Sequence, residues 1–390
     1  MVPREDSVIE GFCDSRFAAV RDAFDRNFKN RNEIGASVAV VFEGRLVVDL
    51  WGGYADRNGK VPWERDTLAN VFSTTKGVTA ICAHRLMERE LIDPEAPVAK
   101  YWPQFAAAGK ENITVRWLLN HRAGLPAVRR NLPDEALYDW ERMADVLAAE
   151  EPWWVPGERH GYHAVTFGWL LGEVIRRASG RSVGTYFREE IGAPLDLDFH
   201  IGLSETAQSR VARISSSRMP PEDEDGKRLV EALISKPHGI VARAFTNPFS
   251  IINGVNTPAW RSAEIPSANG HGTARALATL YGALAIGGTL HGIRVLGPET
   301  IRNCFREESY GNDEILQAVT RFGPGFMLSQ DRLGASYGPG RNSFGHPGAG
   351  GSVAFADPEA GLGFAYVMNR MGPYILIDPR ATALIDALYR

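Results

Sequence analysis

Apolar residues recur along the chain with two different periods, and the changes between them lay out the elements. Residues 15–30 carry Phe17, Val20, Ala23, Phe24 and Phe28 on one stripe, which predicts an amphipathic helix. Two apolar runs follow, 36–42 and 45–51, joined by the turn pair Glu43-Gly44, and they predict a β-hairpin. A long helical region is predicted from about Ser73, where Val78, Ile81, Cys82, Leu86 and Met87 fall at helical spacing. Further helical segments are predicted at 114–120, 134–150, 164–178, 182–190 and 273–287. The stretch 205–262 reads as irregular, with its acidic run 220–226 as a solvated loop. Near the end, 351–356 and 362–369 flank Asp357-Pro358-Glu359-Ala360-Gly361 as a second hairpin, and a closing helix is predicted over 381–389.

Strands at both ends with helices between them predict an antiparallel sheet completed by the two termini. No repeat period and no Gly/Ser- or Pro-rich linker divides the chain, so a single domain over 1–390 is expected. Within it, 1–72 and 270–390 are expected to build an α/β lobe, and 73–269 a mainly helical one. The fold class is therefore α/β in the broad sense (α+β), and a small-molecule site belongs in the cleft between the lobes.

Composition mostly narrows what remains. Hydrophobic residues make up 44% and charged residues 23%, the proportions of a soluble globular protein. Lys and Arg number 43 against 47 Asp and Glu, so the basic surplus of a nucleic-acid binder is missing. No apolar run approaches the roughly 18 residues that a membrane span needs, and the opening MVPREDSVIEGFCDSRF lacks the apolar core of a secretion signal. Three cysteines, Cys13, Cys82 and Cys304, cannot all pair with one another and show no C-x-x-C spacing, so a reducing, cytoplasmic setting is expected. The nine histidines form no H-E-x-x-H and no Cys/His cluster, and no phosphate-binding glycine loop follows a strand. No metal and no cofactor are expected. One detail sharpens the search: only seven of the 43 cationic residues are lysine.

One of those lysines closes Ser73-Thr74-Thr75-Lys76 at a predicted helix start. Positions i and i+3 share a helix face, so the Lys76 amine reaches the Ser73 hydroxyl. A serine is a weak nucleophile until a neighbouring base takes its proton, and the unpaired N–H groups of a helix start favour a developing oxyanion. The bland reading of the same four residues is a capping serine followed by a surface lysine. Two other serine motifs compete. Gly334-Ala335-Ser336-Tyr337-Gly338 matches a G-x-S-x-G nucleophile elbow, but no helix is predicted after it and no histidine follows an acid downstream. Ser267-Ala268-Asn269 is expected to form a loop near the cleft.

The Ser73 motif is one of several that agree in order. It is followed by Leu91-Ile92-Asp93-Pro94, Leu118-Leu119-Asn120-His121-Arg122-Ala123-Gly124-Leu125, Pro156-Gly157, Tyr162-His163-Ala164 and Gly345-His346-Pro347-Gly348-Ala349-Gly350-Gly351-Ser352. Together these resemble the serine β-lactamase / penicillin-binding-protein superfamily, and most of all its class C-like branch with the family VIII carboxylesterases. The resemblance runs from about residue 30 to 370 and implies a β-lactamase-like fold, an antiparallel sheet flanked by the N- and C-terminal helices plus a helical lobe. It implies Ser73 as nucleophile, Lys76 as its proton-shuttling partner and Tyr162 as base, with the phenol pKa lowered by nearby cations. It implies an oxyanion hole from the N–H groups of Ser73 and Ala349, and a Gly348 that lets substrate lie close to the strand. His121 is expected to be a hydrogen-bonded structural histidine in its turn. Trp154, beside Trp153, is expected either to line an acyl pocket or to pack in the core.

Two positions depart from the family pattern. Ala164 stands where the family has an Asn that holds an amide side chain, and His346 stands where it has a Lys. An imidazole is mostly neutral near pH 7, so no permanent cation awaits a β-lactam carboxylate. Both departures favour a small ester as the partner molecule, with no nucleic acid, no membrane and an open oligomeric state. The expected activity is ester hydrolysis through an acyl-enzyme on Ser73. The alternatives are a β-lactamase, a D-amino-acid peptidase or an acyltransferase using the same site, and a catalytically silent binding protein.

Overall fold

A computed structural model of the chain describes residues 9–216 and 220–390. The first eight residues, part of the opening read as free of a secretion signal, lie outside it, as do 217–219 within the 205–262 segment. A short strand β1 (Ile9–Cys13) precedes helix α1 (Ala18–Asn30), and the first predicted hairpin forms as β2 (Gly35–Phe42) and β3 (Arg45–Gly53). Late in the chain stand β4 (Ser309–Asn312), β5 (Val319–Gly323), β6 (Phe326–Leu328), β7 (Phe344–Pro347), β8 (Val353–Asp357) and β9 (Leu362–Met368). They form one nine-stranded sheet in the order β1-β3-β2-β9-β8-β7-β6-β5-β4. Every neighbouring pair is antiparallel, and β2 meets β9 in the register Val38↔Tyr366, so both ends of the chain complete one sheet. β8 and β9 are buried at every position, which explains their unbroken apolar runs: strands covered on both faces need no polar alternation.

The helical block begins with α2 (Thr75–Glu88), continues with α3 (Thr166–Ser179), and is followed by α4 (Ala274–Ala285), which packs on the central strands. The closing helix α5 (Pro379–Leu388) packs against α1. A second, three-stranded sheet joins Ala69–Asn70, Phe199–Ile201 and Gly270–Gly272, and it fixes the chain immediately before Ser73. Among the described residues no helix is long and apolar enough to cross a membrane.

The segment 205–262 is more ordered than its sequence pattern predicts. Helices occupy Glu224–Ser235, Ile240–Thr246, Ser250–Asn253 and Pro258–Ser262. The acidic run is a helix start and not a loop: the Asp223 carboxylate accepts the Gly226 N–H at 2.6 Å, and Glu224 and Asp225 occupy the first turn. Negative charge there meets unpaired N–H groups and the positive end of the helix dipole.

Candidate active site

Ser73 sits in the turn that enters α2. Its predecessor Phe72 has φ +46°, a backbone conformation that costs a non-glycine residue energy and persists only where its surroundings enforce it. Here they do. Val71 N–H bonds to Gly270 O at 2.8 Å, and the Thr75 hydroxyl joins Phe72 O at 2.5 Å to Gly270 N–H at 2.9 Å. From the opposite side Ser352, just before β8, donates its hydroxyl to Val71 O at 2.8 Å and lies 3.2 Å from the Thr74 hydroxyl. The serine of the motif is thus half-exposed at the mouth of a rigid turn, while Thr74, Thr75 and Lys76 are buried.

The Lys76 amine lies 3.2 Å from Ser73 Oγ, 2.6 Å from the carbonyl of Ala164 and 3.0 Å from the carbonyl of Ser267. Two of its tetrahedral directions therefore end on fixed carbonyls, and the third points at the serine. Burial lowers the amine well below its ordinary value, and no carboxylate compensates. Once deprotonated, the amine can keep two N–H bonds to the carbonyls and turn its lone pair to Ser73 Oγ.

Tyr162 lies over the same amine, with Lys76 Nζ 4.6 Å from the ring centroid, and its hydroxyl hydrogen-bonds Ser73. The ring is clamped by Phe322 (6.2 Å, stacked), His121 (5.1 Å) and His346 (5.8 Å). Its backbone N–H is held by Asp313 Oδ1 at 2.9 Å, which also accepts from Ile315 and Leu316 N–H. The expected lowering of the phenol pKa is overturned. Burial raises it above its ordinary value, and the hydrogen bond from Ser73 offsets this only in part. Tyr162 is a neutral hydroxyl at physiological pH, and Lys76 gives up its proton more readily, so it is the group more available in its base form.

His346 ends β7 with its ring buried. Nδ1 donates to the Pro347 carbonyl at 2.7 Å and Nε2 has no partner. Burial, with Lys76 nearby, lowers its pKa to about 3, so it is neutral where a family lysine would be charged. Ala349 is the exposed residue of the turn that follows, among buried neighbours. Among the described residues, the N–H groups of Ser73 and Ala349 have no turn or loop backbone acceptor.

A profile of the family described as Beta-lactamase matches residues 24–387. The chain belongs to that family. It is 41% identical to "Esterase/beta-lactamase LipL" of Mycobacterium tuberculosis over 376 residues, 94% of this chain and 85% of the relative. A solved family VIII carboxylesterase superposes with a TM-score of 0.89 at 43% identity, covering 98% of this chain and 99% of that one. EstA from Arthrobacter nitroguajacolicus superposes with a TM-score of 0.83 at 30% identity, covering 98% of both chains. Beta-lactamase-family members thus share the architecture over nearly the whole length.

Within this family frame the remaining expectations divide. Ser73, Lys76 and Tyr162 come together, with His346 against Tyr162. Gly348 is also demanded by packing. A Cβ there would lie 2.2 Å from Val71 O and 2.2 Å from Ser352 Oγ, so glycine is required where the strand end packs on the nucleophile turn. Gly348→Ala should displace that turn and lower kcat/KM by about 10–100-fold together with Tm; unchanged values of both would contradict this packing account. Trp154 is buried edge-on to His163 at 6.3 Å, in the layer behind Tyr162. His121 is structural, as expected, accepting the His163 N–H on Nδ1 at 3.2 Å.

Two features escaped the sequence reading. Ser267 contributes its carbonyl, not its side chain, whose hydroxyl bonds Val165 O at 2.7 Å. Asp313, buried beneath Tyr162, was signalled by nothing except a lone acid in a mixed segment. The Ser336 motif forms no elbow: its hydroxyl bonds the Gly338 carbonyl at 3.1 Å in a loop with no helix after it.

The buried imidazoles make the protein acid-sensitive. Burial lowers His163, His271 and His346 to about 3. In the unfolded chain they return to about 6.5, so between those values only the unfolded state binds their protons. Stability therefore falls as pH drops through about 6.5, at about 1.4 kcal/mol per pH unit for each group. The urea midpoint should be lower at pH 5 than at pH 7, and equal midpoints would contradict the burial of these rings as neutral groups.

Proposed function

We propose that this protein is a serine carboxylesterase that hydrolyses small esters through an acyl-enzyme on Ser73. The observation that carries the reading is the three-way environment of Lys76: two carbonyls, one serine hydroxyl and no counter-ion. Ser73 Oγ attacks the ester carbonyl while the Lys76 amine takes its proton. The N–H groups of Ser73 and Ala349 receive the oxyanion, an arrangement in which one donor is worth about 3–4 kcal/mol when removed. As the tetrahedral intermediate collapses, the neutral Tyr162 hydroxyl hands a proton to the departing alkoxide and is replenished from Lys76. Water then attacks the acyl carbonyl by the same route in reverse roles, and the acid leaves.

Esters suit this site better than amides or β-lactams. Ala164 offers no side chain to an amide group, and His346 offers no charge to a carboxylate. Three free thiols, two of them buried, support a reducing, cytoplasmic setting. A second reading, β-lactam hydrolysis by the same serine, is favoured by the double name of the LipL relative. A panel of p-nitrophenyl esters, anilides and nitrocefin separates the two. Absence of the carboxylate-binding cation should cost about 10–100-fold, so kcat/KM for p-nitrophenyl butyrate should exceed that for nitrocefin by at least that factor. Comparable turnover would favour the lactamase reading.

A further inference from the structure

The turn that carries Ala349 is built from residues that do not hold a shape by themselves. Gly348, Gly350 and Gly351 surround it, and Gly350 and Gly351 adopt φ +85° and +132°. Such a segment has wide conformational freedom, so contacts from outside must select the one conformation that aims the Ala349 N–H. Two internal bonds close the turn, Gly348 N–H to Ser352 O at 2.6 Å and Gly351 N–H to Gly348 O at 3.1 Å. Outside contacts hold it at two places: Ser352 Oγ bonds Val71 O at 2.8 Å, and the Gly350 carbonyl accepts both the Gly372 N–H at 2.8 Å and Arg380 Nη2 at 2.8 Å.

Arg380 is held more firmly than a structural staple requires. It lies in the first turn of α5, 2% exposed, with Glu33 and Asp378 beside it at 0% and 2%. Nη1 donates to both Glu33 oxygens at 3.0 and 2.9 Å, Nε to Asp378 Oδ1 at 2.8 Å, and Nη2 to Asp378 Oδ2 at 3.0 Å. With the bond to Gly350, all three guanidinium nitrogens are engaged by buried acceptors. The anchors are themselves anchored: Tyr366 of β9 donates to Glu33, and Asp378 caps α5 through Arg380 N–H at 2.8 Å. Two carboxylates face one guanidinium, so the cluster brings no net positive charge to the cleft. Its effect on the turn is geometric.

We propose that Arg380 is a positioning residue for the oxyanion turn: its buried fork, locked by Glu33 and Asp378, fixes the Gly350 carbonyl and thereby the direction of the Ala349 N–H. The inference rests on the reading above, in which that N–H receives the oxyanion. A merely structural cluster is the competing account, and buried ion clusters give little net stability compared with apolar replacements.

The test compares Arg380→Met, Glu33→Gln and Asn27→Ala. Asn27 donates to the Arg380 carbonyl at 3.2 Å and does not touch the guanidinium, so its loss weakens the same helix start without freeing the turn. The readouts are kcat and KM for p-nitrophenyl butyrate, Tm, and Ki for an alkyl trifluoromethyl ketone, whose serine adduct places an oxyanion in the hole. Arg380→Met should lower kcat about 10–100-fold with KM changed little, and should weaken the ketone by the same factor. Glu33→Gln should move kcat and Ki in the same direction by a smaller factor. Asn27→Ala should lower Tm and leave kcat and Ki unchanged. Should Arg380→Met fail to fold, Glu33→Gln decides. Unchanged kcat and Ki in the folded fork variants, or equal losses in Asn27→Ala, would overturn the proposal. Fluorophosphonate labelling of the unmodified protein separates the two levels: no label on Ser73 would remove the underlying reading, whereas a labelled Ser73 with fork-independent ketone affinity would remove this inference alone.

Discussion

Ser73→Ala should lower hydrolysis of p-nitrophenyl butyrate by about 10⁴-fold or more, the scale seen when a catalytic serine is removed. The size follows from what the site loses. Among the described residues, the other serines near Lys76 are occupied: Ser267 Oγ is committed to Val165 O, and Ser352 Oγ to Val71 O, both in buried positions. The Tyr162 phenol is pushed up by burial and remains a weak nucleophile. The variant should fold normally, because the backbone bond from Lys76 N–H to Ser73 O at 2.9 Å remains and Lys76 keeps its bonds to the carbonyls of Ala164 and Ser267. Ser336→Ala should retain the full rate, since that hydroxyl only closes a loop. A Ser73→Ala variant with near-normal turnover would end the nucleophile assignment.

Lys76→Met should be the second largest loss, about 10³-fold in kcat/KM, in the range of an absent general base. Methionine keeps the apolar stem and removes the amine, leaving the carbonyls of Ala164 and Ser267 without their shared donor. That should also cost stability, about 1–3 kcal/mol for buried acceptors left unpaired. The pH profile carries the sharper signature. Burial holds the amine well below its ordinary pKa, so the base form is present at lower pH than a free lysine allows. In the unmodified enzyme, log kcat/KM should rise with pH until Lys76 has lost its proton and then stay level. No fall is expected from Tyr162 ionising near its ordinary value, because burial moves that event upward. His346, lowered to about 3, adds no limb near neutrality. Lys76→Met should lose the rising limb along with the rate. A limb of unchanged midpoint in that variant would assign the base elsewhere.

What could be read from the sequence followed the range of the interactions involved. Ser73 and Lys76 stand one helical turn apart, and the hydrogen bond between them is local enough to be inferred from spacing. The two hairpins and the flanking helices were legible for the same reason, since their apolar periods are written in consecutive residues. The acceptors that tune Lys76 were not. Ala164 O and Ser267 O are backbone atoms, 88 and 191 positions away, and a carbonyl leaves no trace in residue identity. The direction of the Tyr162 shift was misread because it depends on how completely Phe322, His121 and His346 enclose the ring. The helices of 224–262 are short, 12 residues at most, and give little periodicity to read, although Asp223 before Glu224-Asp225 is a cap that spacing alone permits. The edge strand β4 and its neighbour β5 are short and mix Gly, Ser, Thr and Arg, and their pairing comes from the sheet beside them.

The most direct test of the account is rapid-quench mass spectrometry of the protein mixed with p-nitrophenyl butyrate, followed by peptide mapping. The prediction is one butyryl group per chain, located on the peptide containing Ser73 and absent from Ser73→Ala. Product release with an unmodified Ser73, or a butyryl group on any other residue, would contradict it.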